Sequence, residues 1–585
     1  MLKDVLRTKN IARILETADG HDALKRHLGP IQLTMLGIGA IIGAGIFSTV
    51  GTAAAGGAQH AGAGPALILS FVLTAVTCGF AALCYAEFAS MVPISGSAYT
   101  YAYATLGEII AWIIGWDLII EYAVGNVAVA ISWSGYFQAL LRVVGVGMPD
   151  WLGIDYRGAS QAAEQVAAAT AQGGDVAALG EAVMRGAQAF ADAPHLFGIP
   201  IIFNLPAFLI VSIITVVLVI GIRESAWFNT SMVALKLVII AFFIVFGAFF
   251  VEPQNWHPFA PNGTLGIFSA AAIIFFAYIG FDAVSTASEE AKNPKRDMPI
   301  AIIASLVVCT IIYVLVAIVL TGMVPASLLG TAEPLATAFS QRGMMWPTLI
   351  VALGAVFATT SVLIVFQLGQ PRIFFSMARD GLLPKWAASV HPRFRTPYKT
   401  TIITGVFVAV LASVANIDEI VQLTNIGTLF AFVLVCIGVT VLRFREPTRE
   451  RPFRVPLGPF LFPALGVISC IFLMMYLPPA SWWRFVGWLV LGMSIYFAFS
   501  YNHSTVGRSY GRPEVPTGMQ RVVAFGFLLA GVGLFVIPHQ AGPGELVALA
   551  SASDPRASIG LSMIALGAIA SLFGGFRMGA ASRQG

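Results

Sequence analysis

The chain has 585 residues, of which 58% are hydrophobic and 11% charged, and its mean hydropathy is +0.84. Soluble domains carry about a quarter charged residues, so this composition excludes a soluble globular protein and defines an all-α polytopic membrane protein. The balance of 33 Lys and Arg against 29 Asp and Glu is too even for a nucleic-acid-binding surface.

Residues 1–29 are polar and charged, with no short apolar core or cleavage site, so the first span itself directs membrane targeting. Apolar runs of about 18 residues or more read as spanning helices. They fall at 31–57, 65–89, 108–140, 203–221, 227–251, 264–289, 298–323, 347–376, 400–414, 422–442, 456–478, 482–501, 521–538 and 558–576. The run at 400–414 is short and the last two are the weakest, which gives twelve to fourteen spans. With the N-terminus inside, 26 of the 33 basic residues fall in cytoplasmic segments and six outside; this asymmetry places both termini in the cytoplasm. The thirty-third, Lys236, lies within a span. Five cysteines, all in apolar stretches, read as small buried hydrophobes. The long outer loop near 145–200 is Ala-rich and predicts one or two solvated surface helices broken at Gly173 and Gly174.

Two spans are irregular. The first, "TMLGIGAIIGAGIFSTVG", carries Gly37, Gly39, Gly43 and Gly45; the sixth, "FFAYIGFDAVSTASEEAKNPKRDMP", is interrupted at Gly280 and Asp282. Each glycine weakens a helix by roughly 1 kcal/mol relative to Ala. Gly39 and Gly43 alone read as a helix-packing pair. Interruptions at corresponding places in two five-helix halves point instead to a transporter binding site. A broken helix frees N–H groups that suit a carboxylate and carbonyls that suit an ammonium. A zwitterionic amino acid presents both groups on one carbon.

Intramembrane charges are functional candidates by default. Lys236 is a candidate proton carrier, since desolvation disfavours a buried charge, or a fixed cation where a sodium ion binds in a related protein. Asp117 and Glu121 share one face of the third span, Asp117 toward the cytoplasmic water. Glu121 and Asp282 are candidates for substrate contact, gating or helix capping. Glu289 and Glu290 read as gate residues. Thr359, Thr360 and Ser361 in the eighth span would line the side-chain pocket, ligate sodium or bond to helix backbone. No metal-ligand cluster or nucleophile–base pair stands out, so the chain does not read as an enzyme and implies no cofactor. A channel and a non-transporting amino acid sensor are the other classes to weigh.

The stretches "LKRHLGPIQLTMLGIGAIIGAGIF", "PISGSAYTYAYATLGEIIAWIIGWDLIIEY", "FFAYIGFDAVSTASEEAKNPKRDMPIAI" and "RIFFSMARDGLLP" resemble the amino acid–polyamine–organocation (APC) superfamily, and within it the cationic amino acid transporter family. The resemblance implies a LeuT-type fold of two inverted five-helix repeats, 30–251 and 264–445, followed by accessory helices in 446–585. It implies alternating-access transport of L-amino acids across the plasma membrane, proton-coupled and sodium-independent. Cationic or broad neutral substrates are expected, with protons and membrane lipid as partners, no nucleic acid, and a small accessory subunit left open. A sodium-coupled or exchange-only carrier is the alternative. By motif, Gly43, Ala44, Gly45 and Ile46 would hold the substrate carboxylate. Ile41, Phe276, Ala277 and Ile279 would hold the amine, with the Phe276 ring as a lid. Glu121, Asp282, Thr360 and Ser361 would form the side-chain pocket, and Lys236 would couple protons. Ala44 stands where some relatives have a hydroxyl, and the outer loop is longer than the family pattern.

Overall fold

The computed structural model describes residues 6–9, 28–57, 60–92, 97–171, 173, 179, 181–221, 226–394, 396–512, 515–537 and 555–581. Most of the expected cytoplasmic segment 1–29 lies outside them, as do residues 93–96 of the second motif, Gly174, Arg223, Arg395 and Arg583.

Apolar helices occupy all fourteen expected positions among the described residues. Nine are long and apolar enough to cross a membrane, the interrupted sixth among them; one is the bent pair Pro30–Ile41 and Gly45–Ala55; four are shorter. The fourth, ninth and eleventh spans (Leu205–Ile220, Tyr398–Val414 and Leu461–Met475) belong to that shorter class. All five cysteines are buried free thiols.

The first span is straight from Pro30 to Ile41, where Gly37, Gly39 and buried apolar residues face the bundle. It stops at Ile42, whose ψ of 94° leaves the helical region, and resumes at Gly45 as a π-helical turn that runs into Val50–Ala55. The two halves meet at 42°. The sixth span is α-helical over Gly263–Ile274 and tightens to a 3-10 turn at Phe275–Tyr278. It turns at Gly280 and continues as the 3-10 stretch Asp282–Glu290. Gly280 has a φ of +124°, which L side chains rarely adopt, so the turn needs glycine.

The start of the first span packs on the end of the sixth, and the end of the first on the start of the sixth, so the two run antiparallel. The second span (Leu67–Met91) packs on the seventh (Pro294–Met323) and the third (Glu108–Val143) on the eighth (Met345–Arg379). The fourth likewise packs on the ninth. Pairing between spans five apart is what two related five-span halves produce.

On the side where Pro30 begins, three buried carboxylates tie the bundle together. Glu87 takes Arg443 Nε at 2.9 Å and the Val455 N–H at 2.7 Å; Glu108 takes Arg512 at 2.8 and 3.0 Å and the Tyr496 hydroxyl at 2.8 Å. Asp380 takes Lys9 and the Tyr99 hydroxyl, each at 2.8 Å. The Glu108–Arg512 pair clamps the twelfth and thirteenth spans (Pro479–Ile495 and Thr517–Val536) to the core, and losing one partner of such a pair costs about 3–5 kcal/mol. Leu28 bridges the loop after the sixth span, its N–H donating to Glu290 at 3.0 Å while its carbonyl accepts from Lys292 at 2.8 Å. Glu290 contributes its backbone carbonyl to this contact.

On the opposite side the insertion forms two helices, Tyr156–Ala171 and Glu181–Asp192. They are more than solvated surface helices. Ala159, Ala193 and Ile202 make a small separate core with Trp151, Ile154 and Phe190. Arg157 pairs with Glu419, and Arg185 lies 3.6 Å from Glu333.

Candidate functional site

The two breaks touch. A Cβ built on Gly45 would stand 2.2 Å from Ala277 Cα, and one on Gly280 would stand 2.7 Å from the carbonyl of Ala40. Backbone therefore meets backbone at the two breaks, which only glycine allows. The outer half of the first span has Ala44 as its N-cap, so the N–H groups at its very start have no preceding helical turn to donate to. Gly43 and Ala44 lead into that turn, Gly45 and Ile46 open it, and all four are buried, while the Phe47 N–H donates to the Gly43 carbonyl at 3.3 Å. The partial positive charge of this helix start suits a carboxylate.

Lys236, 1% exposed in the fifth span (Ala226–Ala248), reaches the same break from the other end. Its Nζ donates to the carbonyls of Gly39 at 3.0 Å and Ile42 at 3.3 Å. These carbonyls close the inner half-helix, where the dipole is negative and a cation is favoured. Gly39 also packs on the fifth span, since a Cβ there would meet Val233 at 2.5 Å. The packing reading of Gly39 thus holds geometrically.

Tyr313 of the seventh span joins the two breaks. Its hydroxyl lies 2.9 Å from the carbonyl of Ile41 and 2.9 Å from that of Ala277. Two carbonyls expected to face a substrate amine thus already share one O–H donor, each keeping a second lone pair. Phe276 and Ile279 are both buried, and the Phe276 carbonyl accepts from the Ile279 N–H at 3.3 Å. In the tenth span (Ile417–Arg445), Asn425 donates to the carbonyls of Ala272 at 2.8 Å and Ile273 at 2.9 Å, satisfying the end of the sixth span's first half.

The expected side-chain pocket is less unified. Asp282 accepts from the Gly280 N–H at 3.2 Å, which makes it a local clasp on the turn. Thr360 is held from both sides, donating to the Val356 carbonyl at 2.7 Å and accepting from Trp133 Nε1 at 2.9 Å. Thr359 donates to Ala355 at 2.6 Å, the backbone bond typical of membrane helices. Ser361 is partly buried on the same helix. Val362, one residue on, lies against the first break, 3.3 Å from where a Gly43 Cβ would be. Glu121 is 5% exposed, and its Oε2 has no hydrogen-bond partner among the described residues. Asp117 does not face water: it is fully buried, wedged against Gly427 of the tenth span.

Two breaks in backbone contact inside a polytopic helical bundle are the arrangement of a membrane transporter's binding site. The sequence matches the amino acid permease family over residues 28–496. It is 44% identical to the branched-chain amino acid permease BcaP of Bacillus subtilis (strain 168), over 87% of this chain and 100% of that protein. It is 42% identical to the methylthioribose transporter of the same organism, over 83% of this chain and 96% of that one, and 36% identical to cationic amino acid transporter 4 of Mus musculus, over 75% and 63%. The chain belongs to the amino acid permease family of the APC superfamily. It is a multi-pass membrane transporter of amino acids, not an enzyme.

Proposed function

We propose that this permease moves cationic or broad neutral L-amino acids across the plasma membrane by alternating access, coupled to protons and independent of sodium, with both termini cytoplasmic. The transport core spans 30–445, as repeats 30–251 and 264–445, and 446–585 is accessory. The substrate carboxylate sits on the N–H groups of Gly43 to Ile46. Its ammonium sits on carbonyls of Ile41, Phe276, Ala277 and Ile279, displacing or sharing the Tyr313 hydroxyl, under the Phe276 ring. Likeness to a branched-chain permease and a cationic transporter supports this breadth.

The observation that carries the coupling is the Lys236 ammonium on the carbonyls of Gly39 and Ile42. A fixed amine occupies the end of the broken half-helix, a place suited to a metal cation. Its charge is tied directly to the position of that half-helix. Gaining or losing a proton there changes the attraction to the helix end and biases which way the first span leans. Uptake of L-leucine and L-arginine into proteoliposomes under an inward proton gradient, without sodium, tests this. Accumulation above equilibrium is expected. Strict dependence on sodium, or uptake that ignores pH, would overturn it in favour of the sodium-coupled or exchange-only reading.

A further inference from the structure

The fourth span is much shorter than the uncharged chain it belongs to. No Asp, Glu, Lys or Arg occurs between Asp192 and Arg223, yet the helix occupies only Leu205–Ile220. Its 16 residues rise about 24 Å at 1.5 Å each, against a hydrocarbon core of about 30 Å. The ninth span, packed beside it, has only 17 residues. Their outer ends meet where the Asn204 N–H donates to the Ser413 carbonyl at 2.7 Å. On the inner side Arg223 follows the helix closely, so the uncharged surplus lies on the outer side. Two short neighbours thus leave the outer edge of the apolar layer without helix to cover it.

The chain before Leu205 has the apolar surface to fill that place. It forms a hairpin, His195–Leu196 paired with Ile199–Pro200, around a two-residue turn at Phe197 and Gly198. Both turn residues have positive φ, +54° and +80°. Such turns favour Asn or Gly, and a bulky side chain at positive φ is an outlier. Here the backbone accepts one, and the Phe197 ring stands 96% exposed at the tip. Leu196 and Ile201 are exposed with it. The same chain then presents Leu209, Ile213, Val216 and Ile220, exposed at helical spacing along the lipid-facing side of the fourth span. The other side of the approach strand is fixed. Ile202 is buried in the small core of the insertion with Trp151 and Phe190, and the Phe203 N–H donates to the Trp151 carbonyl at 3.0 Å.

We propose that the hairpin tip, Leu196 and Phe197, is a membrane anchor that enters the outer edge of the surrounding lipid above the fourth and ninth spans. Burying these side chains in lipid removes apolar surface from water, and no charged side chain is carried in with them. Lipid is the occupant because the tip directly precedes a lipid-facing helix too short to fill the layer. Ile202 joins this anchor to the core of the insertion, so the lipid surface holds the insertion in place over the outer ends of the spans. The anchor rests on the multi-pass membrane fold and is independent of substrate and coupling.

Nitroxide labels on the full-length chain in liposomes test it, read by collision with oxygen, which concentrates in lipid, and with a water-soluble nickel chelate. The wild type, whose five cysteines are buried, gives the unlabelled background. Ala168→Cys, on the exposed side of Tyr156–Ala171, is the aqueous reference, and Val216→Cys the lipid reference. Labels at Phe197→Cys and at Leu196→Cys, which keeps the ring, should collide more with oxygen and less with nickel than at Ala168, approaching Val216. Adding Phe197→Asp to Leu196→Cys should return that label to the Ala168 value; a label still in lipid would overturn the role of the ring. Tip labels that match Ala168 from the start would overturn the anchor. Labels shielded from both oxygen and nickel would overturn it too, in favour of a tip covered by protein.

Discussion

The two breaks sit at equivalent places but are held by different chemistry. The first is held from outside by groups with charge or a titratable proton: the Lys236 amine on Gly39 and Ile42, and the Tyr313 hydroxyl on Ile41. The sixth is held by a neutral amide, Asn425, on Ala272 and Ile273, and by its own Asp282 on Gly280. An amine on helix-end carbonyls changes its hold when it gains or loses a proton, whereas the Asn425 amide does not titrate; the carboxylate at the sixth break acts within its own turn. On the proposed function the first span is the coupled element, and Tyr313 bonds to the backbone of both breaks.

The largest effect should come from the contact between them. Gly45→Ala places a methyl group 2.2 Å from Ala277 Cα and 2.8 Å from its nitrogen, which no rotamer change relieves. Uptake normalised to membrane-inserted protein should fall below about a tenth of wild type, in line with the severe cost of overpacking. Near-normal uptake would mean the breaks do not need to touch. Tyr313→Phe removes the shared donor and leaves two buried carbonyls without it. The loss of about 1–3 kcal/mol expected for such a group should appear as a roughly tenfold drop in kcat/KM for uptake.

Asn425→Ala acts on the sixth-span break alone. It should cut the maximal uptake rate about fivefold, equivalent to ~1 kcal/mol for a lost hydrogen bond, without moving the pH profile. A shifted profile would erase the distinction between the breaks. Smallest of all, Trp133→Phe frees the Thr360 hydroxyl, which keeps its backbone bond to Val356. Uptake should change by about twofold or less, the range of a substitution that leaves no buried group unpaired, while relative rates for leucine and arginine shift.

The fold was legible wherever hydrophobic runs are long, and all fourteen positions carry helices among the described residues. Both breaks were legible too, because glycine and aspartate inside an apolar run have few other uses. Tyr313 and Asn425 were not. Tyrosine and asparagine in an apolar span have no periodicity to mark them, and their role depends on which neighbour the bundle brings close. The burial of Asp117 was misread because distance from a helix end does not reveal the Gly427 face packed over it. Pocket residues were legible only as types: Val362, two residues beyond Thr360, lies against the first break, and the Thr360 hydroxyl is committed to Trp133 and Val356. The insertion read as solvated because its Ala-rich helices carry few large apolar residues. Its small core and its ion pairs depend on residues far away in sequence.

Lys236→Ala tests the coupling most directly. In proteoliposomes with an inward proton gradient, the wild type should accumulate substrate above equilibrium. Lys236→Ala should still exchange labelled for unlabelled amino acid while accumulating none. Retained, gradient-driven accumulation in the variant would contradict the assignment of coupling to the first break.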